Sequence, residues 1–86
     1  MYMTANRIKI EGQPVLKLNI HDFSEDDVPF LDNLGIDTLE NKEQNNWRYK
    51  LIYNQEDFLN LRTVILERYE VEEKGHRAYM TLKAGE

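Results

Sequence analysis

Cysteine is absent from this chain, so disulfides and thiolate metal sites are excluded. Serine occurs once, as Ser24, and no Ser–His pairing stands in a turn context suited to nucleophilic catalysis. Glycine (4) and proline (2) are scarce and scattered, which excludes a phosphate-cradling glycine loop, a collagen-like repeat and a Pro/Gly-rich linker. The longest uninterrupted aliphatic stretch is Val64-Ile65-Leu66, far short of a membrane span, and no apolar run follows Met1 as a signal peptide requires. The expectation is a cytoplasmic protein with no membrane partner. Positive charge is also in deficit: 11 bases against 16 acids give a net charge of -5, which disfavours non-specific nucleic-acid binding by charge alone.

What is present is an ordinary globular composition, 41% apolar and 31% charged over 86 residues. That length suits one small domain spanning 1–86, of a size that is marginal alone and favours self-association. Residues 7–11 and 15–21 alternate polar with apolar, the period of half-buried strands, around a turn at Gly12-Gln13-Pro14. A three-residue loop over 12–14 sets Ile8 opposite Leu18 and Ile10 opposite Leu16, and it also sets Lys9 opposite Lys17. Ser24, with Asp27 three residues on and Phe23 and Val28 as a staple, predicts a short helix that Gly35 ends. Pro29 suits a turn followed by a helix starting there. Residues 47–53 form the clearest strand, with Trp47, Tyr49, Leu51 and Tyr53 on one face and Arg48, Lys50 and Ile52 on the other. Asn54 caps a long helix over about 55–71, and residues 76–83 form a last strand.

These elements predict an α+β fold: a four-stranded mixed or antiparallel sheet in the order β-hairpin, short helix, strand, long helix, strand, with the long helix packed on one face. The expected core is Ile8, Ile10, Leu16, Leu18, Ile20, Leu51, Phe58, Leu61, Ile65, Leu66, Tyr69, Met80 and Leu82. In that arrangement Trp47 and Tyr49 face the core, and Arg62 breaks the long helix's apolar stripe as a snorkelling side chain.

Charge then separates. Arg7, Lys9, Lys17, Arg48, Lys50, Arg77 and Lys83 fall on the open face of the sheet together with Tyr79, its one aromatic. The acids concentrate in 22–43, and Asp26, Asp27, Asp32, Asp37 and Glu40 form the candidate partner-binding face. His21 and His76 lack a helical metal-ligand spacing, so neither metal nor cofactor is expected. With no catalytic set, the expectation is a regulatory or inhibitory protein-interaction module, not an enzyme, docking its acidic segment onto a basic site of another protein. The alternatives are nucleic-acid binding through the basic sheet face, a homodimer joined through its charged faces, and, last, a small oligomeric enzyme.

Overall fold

The structure is a computed structural model that describes residues 1–41, 43–73 and 79–84, and for residues 44, 45, 71–73, 79–81, 83 and 84 the backbone alone. The chain runs β1 (Tyr2–Ile10), β2 (Gln13–His21), a 3-10 turn (Glu25–Asp27), α1 (Val28–Asn33), β3 (Thr38–Asn41), β4 (Gln44–Ile52), α2 (Gln55–Arg68), β5 (Tyr69–Glu73) and β6 (Tyr79–Ala84). The α+β class, the N-terminal hairpin and the alternation of short helix, strand, long helix and strand are as the sequence predicts. The sheet is wider than expected, with six strands in the order β3-β4-β2-β1-β6-β5, and every pairing is antiparallel.

Both extra strands come from segments whose alternation is short. Thr38–Asn41 pairs along β4 as a four-residue edge, with a register shift between Leu39 and Asn41. Tyr69–Glu73 leaves the long helix early: Tyr69 has φ -126 and ψ 142, so α2 ends at Arg68 and not near 71. The alternation Tyr69, Val71, Glu73 then pairs with β6, Val71 opposite Leu82. A helix joining two strands usually returns the chain parallel to the first. Here β5 folds back on β6 instead, and β6 joins β1 antiparallel. The predicted start of the last strand at 76 and its residue Arg77 lie outside the described residues.

The hairpin turn decides the rest of the architecture. It is a two-residue turn, Glu11-Gly12, with both residues at positive φ (51° and 81°), as a type I′ turn requires. Its twist matches that of the flanking strands, and Glu11 gives up its strand position to make it. The register is therefore Ile8 opposite Val15, Arg7 opposite Leu16 and Ala5 opposite Leu18, not the three-residue-loop register. Lys9 sits opposite Pro14 and Lys17 opposite Asn6, so the predicted like-charge pair does not form.

Paired residues share a face of the sheet. One face carries Met3, Ala5, Leu16, Leu18 and Ile20, and β4 adds Ile52, Lys50 and Arg48 to it. Both helices pack there. The core joins Met3, Leu18, Ile20 and Ile52 to Phe23, Leu31, Ile36, Leu61, Ile65, Tyr69 and Leu82, with Leu16, Phe58 and Leu66 half-buried against it. Ile8, Ile10 and Leu51, expected in this core, lie on the opposite face. The side chain of Met80 is outside the described residues.

The ends of α1 hold the chain under the sheet. The Asp27 carboxylate accepts from the backbone N–H and the hydroxyl of Ser24, at 3.1 and 3.0 Å. At the far end Ile36 N–H reaches the Leu31 carbonyl and Gly35 N–H the Asp32 carbonyl, each at 3.0 Å, with Gly35 at φ 75°. This reversal drops Ile36 into the core, fully buried. A side chain at Gly35 would also meet the Lys50 ammonium, 2.9 Å from where its Cβ would stand.

Candidate docking surface

The other face of the sheet is built from the alternate residues of the same strands. Tyr2, Thr4, Asn6, Ile8 and Ile10 come from β1, Val15, Lys17, Asn19 and His21 from β2, and Trp47, Tyr49 and Leu51 from β4. Neither helix packs on this face, and its apolar side chains lie outside the core cluster, half-buried except for Val15, which is 3% exposed. It is nevertheless ordered by its own contacts. The rings of Tyr2 and His21 stack at 4.5 Å with their planes 8° apart, and Trp47 lies 4.8 Å from His21 on the other side. Across the middle, Trp47 Nε1 donates to Asn19 Oδ1 at 3.2 Å, and Asn19 Nδ2 donates to Asn6 Oδ1 at 3.1 Å. One buried amide, 4% exposed, thus ties three strands together with its donor and acceptor ends both used.

Over β2, β3 and β4 two charges of this face, Lys17 and Glu40, belong to each other. Lys17 Nζ stands 2.6 Å from Glu40 Oε2 and 4.6 Å from the centre of the Tyr49 ring. The Lys17 side chain is 19% exposed, its stem lying along the sheet. His21 is held below its ordinary 6.5 mainly by burial, against the opposing pull of Asp22 and Glu40. Its Nε2 lies 3.2 Å from the Thr4 hydroxyl.

The lowered His21 pKa fixes a sign. Protonation is harder in the folded chain than in the unfolded one, so the unfolded state takes up this proton first as pH falls. The His21 contribution to stability is whole above about pH 6.5 and declines from there down to the lowered folded value. Urea denaturation at stepped pH should show this decline, and His21→Gln should remove it. An NMR titration placing both histidines at or above 6.5 would contradict the sign.

The sequence-predicted basic face is divided. Lys17 is on the open face, whereas Arg7, Lys9, Arg48 and Lys50 share the helix face, where Arg7 and Lys9 are exposed. Arg48 lies half-buried between Asp32, 2.5 Å from its Nη1, and the Phe23 ring, 5.3 Å away. Tyr79 and Lys83 are described in backbone only, and Arg77 not at all. The correction has a physical origin: both alternate sets of β4 contain apolar residues, so alternation alone does not say which set faces the helices.

The acidic segment is also largely used inside the chain. Asp27 accepts from Ser24 and, at 2.5 Å, from the Tyr69 hydroxyl; Asp32 holds Arg48; Glu40 holds Lys17. Asp26 and Asp37 stay exposed. Burial pushes the Asp27 carboxyl up, but the Tyr69 and Ser24 hydrogen bonds and the nearby Arg68 outweigh it, and its pKa is lowered. Arg62, expected to snorkel, is half-buried on α2.

Two shallow grooves flank α2 on the helix side. One, of about 580 Å³, is lined by Lys50, Tyr53, Asp57 and Asn60; the other, of about 350 Å³, by Arg7, Leu16, Asn54 and Phe58. Asp57 is already engaged with the Asn54 cap, its N–H donating to Asn54 Oδ1 and its carboxylate accepting from Asn54 Nδ2, both at 2.8 Å. Neither groove pairs a nucleophile with a base. Among the described residues no cluster of His, Asp or Glu is placed to hold a metal ion, and no helix is long and apolar enough to cross a membrane. No protein family, no curated protein and no solved structure matches this chain.

Proposed function

We propose that this chain is a small non-catalytic protein-interaction module that docks through the open face of its sheet. The observation that carries this reading is a sheet face bearing half-buried Ile8, Trp47, Tyr49 and Leu51 with neither helix over it. Contiguous apolar and aromatic surface of this kind marks interaction sites, and aromatic residues are enriched in them. The docking surface is thereby moved from the acidic segment, where three of the five candidate acids, Asp27, Asp32 and Glu40, already bind partners within the chain.

A second reading has its own support. The stacked Tyr2 and His21 rings beside Trp47 form the kind of platform on which nucleotide bases stack. Against it, Lys17 on that face is paired with Glu40, and Arg48 and Lys50 are on the other side.

A photo-crosslinker tests the first reading. Placed as Tyr49→p-benzoylphenylalanine, it should form adducts with protein, and adding Ile8→Glu should abolish them. Placed at Leu59, on the exposed side of α2, it should form none. Absence of adducts from position 49, or equal adducts from both positions, refutes the assignment.

A further inference from the structure

Resting on that reading, we infer that the occupant of the open face is a second copy of this chain, the two packed sheet to sheet about a two-fold axis. The first argument is electrostatic. A two-fold contact sets each surface against its own image, so any net charge on it repels itself. The chain carries -5, yet over β1, β2, β3 and β4 the described residues of the open face include one cation and one anion, Lys17 and Glu40, already joined at 2.6 Å, while exposed Glu70 stands on the same side beyond this patch, on β5. Among the described residues of this patch a polyanion or a charged peptide would find no unpaired counter-charge, whereas an identical patch matches it.

The second argument is desolvation. Covering a polar group that lacks a partner is costly. On this face Asn19 bonds to both Asn6 and Trp47, His21 to Thr4, and Lys17 to Glu40. A dry apolar surface can close over these groups without orphaning them, so they need no polar partner from outside.

The third argument is size. β1, β2 and β4 are nine residues each. At the usual rise and spacing they and the short β3 outline a patch of about 30 by 17 Å, roughly 500 Å². Two such patches together reach the roughly 1,000 Å² at which specific interfaces begin. Sheets stacked in this way pack about 10 Å apart, with side chains from the two inner faces interdigitating.

Sedimentation velocity over a range of about 1 μM to 1 mM decides the matter, because mass action must draw such a dimer together. The expected result is a species of twice the 10.3 kDa chain mass. Ile8→Glu and Leu51→Arg bury a new charge in each half, and both should raise the dissociation constant about 100-fold or more. Their opposite signs mean that a change in net charge cannot explain both. Leu59→Glu, on the exposed helix side, should leave the dimer intact. Circular dichroism confirms that each variant is folded. Independently of any variant, emission from Trp47, the one tryptophan, should shift to the blue as concentration rises.

A wild-type chain that stays at 10.3 kDa across this range overturns the inference. If position-49 adducts with other proteins persist in that case, the docking face stands and only its occupant is wrong; if they are also missing, both fall. A dimer indifferent to Ile8→Glu and Leu51→Arg overturns the inference as well. So does a monomer whose Trp47 emission is quenched by oligothymidylate in a salt-sensitive manner, which would assign the face to single-stranded nucleic acid.

Discussion

Leu18→Ala should cost about 3 kcal/mol of folding stability, and Ile8→Ala about 1 kcal/mol, although the unassisted sequence places both residues in one core. Leu18 is fully buried where β2 crosses beneath the helices, and the cavity left by its side chain is walled by a packed cluster. Ile8 is half-buried on the face that no described helix covers, so its truncation opens to solvent and leaves little cavity. For a domain with about 4–13 kcal/mol in total, the Leu18 loss is a large share, and a midpoint drop of about 15 °C follows. Thermal and urea denaturation in dilute solution, where association adds nothing, measure both variants. Equal costs for the two would mean that the hairpin register is not the one described.

Asp27→Ala should cost about 2 kcal/mol near neutral pH, more than expected of an acid on a solvated docking surface. Its carboxylate accepts from Ser24 twice, at the start of the turn into α1, and from the hydroxyl of Tyr69, a buried residue at the end of α2. Removing it strips the turn of its cap and leaves the Tyr69 hydroxyl with Arg68 alone as a hydrogen-bond partner. The pH dependence identifies the cause. Because the folded pKa of Asp27 is below the unfolded 3.8, its contribution is whole above that value and is lost as pH falls through the folded pKa. The gap between wild type and Asp27→Ala should therefore close in acid. In a double-mutant cycle, Tyr69→Phe should couple to Asp27→Ala by about 1 kcal/mol. A gap that is independent of pH, or no coupling, would return Asp27 to the surface role that its sequence context suggests.

These two cases show where the sequence was legible. Local chemistry read well. Ser24 with Asp27, Gly35 after Leu34, and Asn54 with Asp57 each end or start a helix as expected, because capping depends on neighbours a few residues away. The alternation was also correct where the expected and observed strands overlap, over 7–10, 15–21 and 47–52, although β1 begins earlier, at Tyr2, and β4 at Gln44, and Glu11 and Tyr53 lie outside them. What failed was the assignment of faces, since that depends on a single turn. Glu11 reads as the last strand residue by its place after Ile10, but Glu11-Gly12 together form the type I′ turn. The glycine was visible; the recruitment of a glutamate to positive φ was not.

That shift carried the site with it. With Ile8 set opposite Val15, and β4 in its observed register, Trp47 and Tyr49 turn away from the helices and Arg48 turns towards them. An arginine beneath helices contradicts the usual pattern, and only Asp32 and the Phe23 ring, brought close by α1, make it tolerable. Such a contact between distant segments leaves no trace in periodicity. The Asn6–Asn19–Trp47 hydrogen bonds are likewise invisible in sequence, as asparagine on a strand reads simply as solvent-facing.

The strict odd-and-even division of β1 and β2 has a consequence for how such a chain can change over time. Substitutions at Met3, Leu18 or Ile20 are judged by whether the molecule holds its shape; substitutions at Ile8, Tyr49 or Leu51 are judged by what it meets. The two sets are threaded through the same ribbons yet answer to separate selection, so a lineage could trade one associate for another without disturbing its interior. The exception is Glu11-Gly12: lengthening that corner by one residue would exchange the two sets at a stroke.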